Sequence, residues 1–351
     1  MSDLLGKWTR AGRKRKPDVV GIEVGAGATP VVRVRRVGGT LTVTAADLLP
    51  PLALPADDGA AAAATRPEPL ALARPLAAPY AAVAVSTPRT SVRLLAVPGG
   101  AEAVEQINFS EMLGLPGGAD YRIGYDLLPS DGRNEQAVLV AGIPEVQARW
   151  AAALFSQGLP APRSLQAGEV AALNCVAREL AAHHEDACAL AVDLRAEHGS
   201  VAAFHKGRLA LLRQVPTGGR ALVLALQGQL GVEEELVAEF IESGAVDATQ
   251  IIARALEPLL RQLMLAREFV ERKRLCKVER ILFGGLPFGV RPWEAQIEKV
   301  MGIRPLVWNP LALLPAAAEA LAPRAAGQEA RFAAALGAAL AVMEADGDVP
   351  H

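Results

Sequence analysis

Hydrophobic and polar positions alternate with a period of two in several short runs of this chain, the signature of half-buried strands. Residues 19–22 and 30–37 are apolar and β-branched, Gly38-Gly39 marks a turn, and residues 41–45 predict a third short strand. Strands are predicted again at residues 80–86 (YAAVAVS), 91–96, 121–128 and 136–142. A second cluster, residues 188–216, reads as strand, turn, strand, a turn at Lys206-Gly207, and strand. Residues 278–289 (VERILFGGLPFG) predict a buried strand entering a glycine-rich turn, and residues 303–308 the last strand.

Between these runs the apolar spacing changes to three and four, which predicts helices. In residues 98–116, Val104, Ile107, Phe109 and Met112 supply one apolar side, and Gly114 and Pro116 stop the helix. Residues 144–157 start at a proline and close at Gly158, and residues 168–183 form another helix. Residues 219–276 read as helical, with Pro258 kinking or restarting the second stretch. A helix follows to Val300, and the alanine-rich stretch 315–344 predicts a closing helix that contains RFAAALGAALAV. Residues 50–79 are different: Pro67, Pro69, Pro75 and Pro79 leave no room for a long helix, so the stretch reads as a linker or exposed loop.

The first and second strand clusters share one plan, in which an apolar strand with an acidic end is followed by a turn and two further strands. Glu23 and Asp193 hold equivalent places about 170 residues apart, so the pattern behaves as an internal repeat. It predicts two similar lobes facing a cleft, with Glu23 and Asp193 on opposite sides. Either the two carboxylates position metal and water, or they cap strand ends and bind the turns.

Composition adjusts this picture. Of 351 residues, 51% are hydrophobic but only 4% aromatic, so alanine and leucine must fill the core. A balance of 36 basic and 38 acidic residues gives no overall attraction to nucleic acid. The local exception is residues 7–16 (KWTRAGRKRK), with six basic residues and no acid. This run reads either as a tail resting on anionic lipid or as a solvated start. Cys175, Cys188 and Cys276 show no paired spacing, which fits a reducing compartment. No apolar stretch reaches the length of a membrane span, and no apolar signal segment opens the chain, so the expected location is cytoplasmic.

The run from Val19 to Val34 carries the most specific chemistry. Glu23 ends a strand, and Gly25, Gly27 and Thr29 follow in and after the turn. Glycines let backbone N–H groups approach phosphate oxygens, and the carboxylate can hold a metal-bound water. In the second lobe Asp193, Gly218, Gly219, Gly284 and Gly285 extend the candidate nucleotide-binding set, and the family resemblance that these landmarks carry adds Arg195 and Glu239. The adjacent His183-His184 pair reads as a polar helix end, because neighbouring helical residues point apart. Motifs of the CxxC, HExxH, GxSxG and GxxxxGK[ST] types are absent from the sequence.

These landmarks stand in the order seen in actin-like ATPases, and the chain resembles the PilM family, the cytoplasmic actin-like components of type IV pilus machines. It is more distantly similar to the cell-division protein FtsA. The resemblance rests on the Glu23 hairpin, the Asp193 hairpin with Gly218-Gly219, the Gly284-Gly285 turn and the closing RFAAALGAAL. It rests also on residues 92–116, which resemble the family's small inserted subdomain at Arg93, Pro98, Phe109 and Pro116. The implied fold is α/β, an actin-like (ribonuclease H-like) two-lobe fold with an inserted small αβ subdomain. The implied domains are a basic tail (1–17), a first lobe (18–90), the inserted subdomain (91–165), a second lobe (166–344) with a helical subdomain about 220–276 and a C-terminal helix returning to the core, and a tail (345–351).

Departures from the family pattern bear on activity. Glu23 stands where Asp is usual, Pro30 where a lysine would contact phosphate, and Arg195 where a glycine is expected. Glu242 replaces a lysine after Glu239, Leu286-Pro287 follows the second glycine turn, and Ser110 stands where Glu is usual. Phosphoryl transfer depends on charge neutralisation and positioning, so these changes imply a degenerate nucleotide site without hydrolysis. ATP or ADP with Mg²⁺ held as a structural ligand is the remaining cofactor expectation. The resemblance implies a scaffold at the inner membrane of a pilus or related secretion system that grips the N-terminal tail of a PilN-like membrane protein. Other platform proteins are further partners, and homo-oligomers are compatible with it. The candidate partner-binding wall is Arg93, Leu95, Val104, Ile107, Phe109 and Met112. The alternative is an active Mg-ATP-binding ATPase that regulates pilus assembly, with Arg195 replacing the missing lysine. A sugar or acetate kinase of the same fold lacks its catalytic acid here, and a type II secretion L-type protein would carry a membrane span.

Overall fold

The computed structural model describes residues 18–55, 66–115, 120–129, 135–155, 158–231, 233, 236–237, 249–285, 291–317 and 319–345. They divide into two compact units. One holds the described residues up to Cys175, with Leu311–Ala326 and those from Phe332 on; the other holds Val176–Pro310 with Gly327–Arg331.

In the first unit, β1 (Asp18–Gly25), β2 (Thr29–Val37) and β3 (Thr40–Leu49) form an antiparallel meander. β4 (Tyr80–Ser86) pairs parallel to β1. β5 (Ser91–Pro98) then leaves this sheet. After it come two short helical turns, α1 (Ala101–Val104) and α2 (Phe109–Met112), and then β6 (Tyr121–Leu128), β7 (Glu135–Pro144) and α3 (Glu145–Ala153). β5, β7 and β6 make a separate three-stranded antiparallel sheet. β8 (Ala161–Ala167) returns to pair parallel with β4, so the main sheet has the order β3-β2-β1-β4-β8.

The second unit takes over within α4 (Gly168–His183). There β9 (Cys188–Leu194), β10 (Gly199–His205) and β11 (Arg208–Val215) repeat the meander. α5 (Gly219–Leu230), α6 (Thr249–Arg274), β12 (Arg280–Gly284), α7 (Arg291–Met301) and the two-residue β13 (Leu306–Val307) follow, and the sheet order is β11-β10-β9-β12-β13. Each sheet therefore has three antiparallel strands, the part that the internal repeat predicts, continued by two parallel ones. α6 packs on β10, β11 and β9, burying Ile252, Leu256, Leu259, Leu263, Ala266 and Val270 at helical spacing. Pro258 lies on the exposed face, and the helix runs through it without a break.

α8 (Ala333–Glu344) crosses the first sheet over β1, β4 and β2. It is buried almost all round, which only a helix of alanines, leucines and glycine achieves here. A Cβ on Gly21 would fall 1.9 Å from the Ala335 carbonyl oxygen, and one on Gly337 would fall 1.8 Å from that of Ala171 in α4. The helix backbone thus rests directly on the strand and on α4.

The structure corrects five expectations. The single helix over 98–116 is two helical turns, α1 and α2, with Asn108 extended between them. Residues 161–167, within the range expected for the inserted subdomain, are the fifth strand of the main sheet. The closing helix covers only Ala333–Glu344. Before it the chain forms bridges from Ala316 to Val43 and from Leu321 to Ala46, which cover the β3 edge. The last strand is two residues long instead of spanning 303–308. Also, α8 lies on the first sheet although its residues fall in the range expected for the second lobe.

Charged anchors fasten irregular segments to this frame. Arg33 Nε donates to Asp18 Oδ1 at 2.9 Å and its Nη1 to the Pro75 carbonyl at 3.1 Å, while the hydrogen bond to Asp18 raises the Arg33 pKa. Arg324 Nη2 donates to Asp47 Oδ2 at 2.7 Å and holds the segment beside β3. Replacing Gly21 by valine must push α8 off the sheet. We expect a loss of about 3 kcal/mol or more, since overpacking against backbone cannot relax by a rotamer change, measured by urea unfolding followed by circular dichroism.

Candidate functional site

The second unit gathers most of its predicted residues around the β9–β10 turn. Asp193 and Gly284 are paired neighbours on β9 and β12. Gly285 has φ +80°, and a Cβ there would fall 2.3 Å from Asp193 Oδ1, so only glycine lets the chain pass the carboxylate. Gly218 packs equally close against the turn, where a Cβ would meet the Ala196 oxygen at 2.4 Å. Glu239, Glu242 and Leu286-Pro287 lie outside the described residues.

Arg195 decides the chemistry of this half. Its Nε and Nη2 donate to Asp193 Oδ2 at 2.9 and 2.6 Å, and the side chain is 8% exposed. Burial lowers its pKa to about 9, which still leaves it charged at neutral pH. The arginine thereby engages the Oδ2 atom of the Asp193 carboxylate.

The phosphate-type donors are also engaged. The N–H groups of Gly219 and Arg220, at the start of α5, donate to the carbonyls of Arg195 and Ala196 at 2.7 and 2.8 Å. The Gly285 N–H donates to the Ala330 carbonyl at 2.9 Å. A helix N-terminus attracts phosphate through such unsatisfied amides; here the β9–β10 turn supplies the acceptors itself.

In the first unit, Glu23, Gly25, Gly27 and Thr29 follow one another along the β1–β2 hairpin. Glu23 is half-buried beside Ala84 of β4. A Cβ on Gly25 would fall 2.6 Å from the Ser86 oxygen, so glycine here serves strand packing. Thr29 is fully buried, and its hydroxyl donates to the Pro50 carbonyl at 3.0 Å. Pro30 pairs with Leu48 inside the sheet.

The six candidate partner-binding residues separate by environment. Arg93 on β5 and Met112 on α2 are exposed. Val104 is buried, and Leu95, Ile107 and Phe109 pack half-buried against a core of Val97, Val104, Leu113, Val138 and Val140. The Phe109 ring lies 4.8 Å from that of Tyr125 on β6.

Sequence reasoning missed Gln147, which is buried at the start of α3. Thr87 Oγ1 donates to its Oε1 at 2.9 Å, and its Nε2 donates to the Pro55 carbonyl at 3.1 Å. Together with the Thr29 bond to Pro50, it pins the start of the proline-rich stretch to the first unit. The only available signal was an uncharged polar residue on the apolar face of a predicted helix. No cluster of three metal-ligating side chains occurs among the described residues.

With this geometry in hand, comparisons place the fold. No family model and no curated protein matches the chain. A solved chain of a PilM–PilN type IV pilus biogenesis complex superposes with a TM-score of 0.66 and 19% identity, covering 95% of this chain and 100% of its own. A protein of unknown function with an actin-like ATPase fold from Bacteroides thetaiotaomicron aligns at a TM-score of 0.49 and 9% identity, over 85% of this chain and 93% of its own. The ethanolamine utilization protein EutJ from Carboxydothermus hydrogenoformans aligns at 0.45 and 15%, over 92% and 90%. The chain has the actin-like α/β fold and is similar to the PilM–PilN chain over nearly its whole length.

Removing the Asp193 charge weakens the two hydrogen bonds that the buried Arg195 donates to it. Asp193→Asn is expected to cost about 3 kcal/mol, read as a lower urea midpoint with an unchanged slope.

Proposed function

We propose that this chain is a cytoplasmic, actin-like scaffold on the inner-membrane platform of a type IV pilus or related secretion machine. Its nucleotide site is vestigial, and its working surface grips the N-terminal tail of a PilN-like membrane protein. The observation that carries the reading is the Asp193–Arg195 ion pair, which fills the acidic position of the second-unit half with the protein's own cation. The engaged amides of Gly219, Arg220 and Gly285 support it further, because each would otherwise be available to phosphate.

The likeness to a chain from a PilM–PilN complex supports the choice of partner. The small sheet of the first unit has β5 and β6 at its edges. An extended tail can add backbone hydrogen bonds to such an edge and set alternate side chains into an apolar wall. Exposed Arg93 and Met112 stand ready to touch it, while Val104, Ile107 and Phe109 hold the wall in shape. No helix of the described residues is long and apolar enough to cross a membrane, so attachment would run through the partner, helped by the basic run at residues 7–16.

Titration calorimetry with two ligands tests the reading. A synthetic PilN-like N-terminal tail should bind, and Met112→Glu should weaken it about tenfold, the equivalent of ~1.4 kcal/mol. ATP with Mg²⁺ should give no binding heat. Tight Mg-ATP binding that Asp193→Ala abolishes would overturn the vestigial site, and a folded protein that ignores the tail would overturn the partner.

A further inference from the structure

Cys188 and Cys276 are 88 residues apart in sequence, yet their sulfur atoms lie 2.8 Å apart, with Cys276 Sγ donating to Cys188 Sγ. Neither the spacing of the cysteines nor their odd number announces this pair. We propose that Cys188 and Cys276 form a redox-active dithiol, a modification site that closes to an intramolecular disulfide when the protein meets a hydroperoxide.

The surrounding backbone is already held for that bond. Cys188 opens β9 and is 3% exposed. Cys276 follows the end of α6 by two residues, after Leu275, whose φ of +52° turns the chain sharply. The segment that follows is fastened to the strand: the Glu279 N–H donates to the Cys188 carbonyl at 2.9 Å. The Val278 N–H donates to Glu271 Oε1 at 2.9 Å, and Arg267 Nε donates to the same carboxylate at 3.1 Å. An S–S bond of about 2.0 Å then needs only a small approach of two side chains.

The two thiols have different roles. Cys276 is partly exposed and meets the oxidant first. Burial pushes the Cys188 thiol up, which keeps it protonated and unreactive until its neighbour is oxidised. The Cys276 sulfur attacks one oxygen of the hydroperoxide, the O–O bond breaks, and the leaving oxygen takes the thiol proton and departs as alcohol or water. The product is the sulfenic acid of Cys276. The Cys188 sulfur then attacks the Cys276 sulfur; the S–S bond forms, the S–O bond breaks, and hydroxide leaves as water with the Cys188 proton. The sulfur pair loses two electrons, and the peroxide bond gains them. Intracellular disulfides of this kind are characteristically transient and redox-sensing, and this one would tie the end of α6 to the strand that carries Asp193.

Native full-length protein treated with hydrogen peroxide, alkylated and mapped without reduction tests the proposal. The expected result is one cross-linked peptide joining Cys188 to Cys276, an intact mass lower by the two thiol hydrogens, and reversal by dithiothreitol. The cross-link should raise the thermal midpoint by roughly 5–10 °C. Cys175→Ser should behave like the parent chain, and Cys276→Ser should leave Cys188 unmodified. Sulfinic acid on Cys276 with Cys188 still alkylatable, a link between two molecules, or two unmodified thiols would each overturn the proposal. The wild-type map decides the matter even where a variant folds poorly.

Discussion

The contact on which the first unit depends is the approach of the Ala335 carbonyl to Gly21, and of Gly337 to the Ala171 carbonyl. A helix placed this close to a strand on one side and to another helix on the other has no room for large side chains. The core therefore relies on backbone proximity and many small dispersion contacts, which fits a chain with 51% hydrophobic but only 4% aromatic residues. α8 also spans β1 and β4, whose parallel register pairs Gly25 with Ser86 at the strand ends. The C-terminal residues thus complete the sheet that the N-terminal residues begin.

The two sheets share a plan but have diverged at their turns. In one, Thr29 turns its hydroxyl to Pro50 and Pro30 is built into the strand pairing. In the other, an arginine two residues past the acid folds back onto it. A charged side chain buried to this degree is tolerated only with its counter-ion at hand. The pair is therefore a structural solution to burying an arginine, and its turn satisfies the amides at the start of α5.

The small sheet shows how a hydrophobic pattern can predict the right face and the wrong element. Of the predicted apolar side, Val104, Ile107 and Phe109 pack on this sheet, while Met112 is exposed and Leu113 is buried in its place. To bring Ile107 and Phe109 onto the same sheet, the chain extends at Asn108 and restarts, so one helix becomes two turns. Runs this short gain little from their own hydrogen bonds; burial against the strands decides their form.

The sequence by itself determined the strands of both meanders, their glycine turns and the long amphipathic α6, because alternation, helical period and positive-φ glycines are local signals. It also marked Asp193, Gly218 and Gly285 as one set through the resemblance to a known family. Tertiary structure alone decided that residues 161–167 are a strand, since Pro162, Arg163, Ser164 and Gln166 break the alternation and only the free edge of β4 recruits them. It alone decided that Ala316 and Leu321 bridge to β3, that Arg195 turns inward to Asp193, and that Cys188 meets Cys276. Each of these depends on partners distant in the chain or on a side-chain direction, and neither is encoded in the local periodicity of hydrophobic residues.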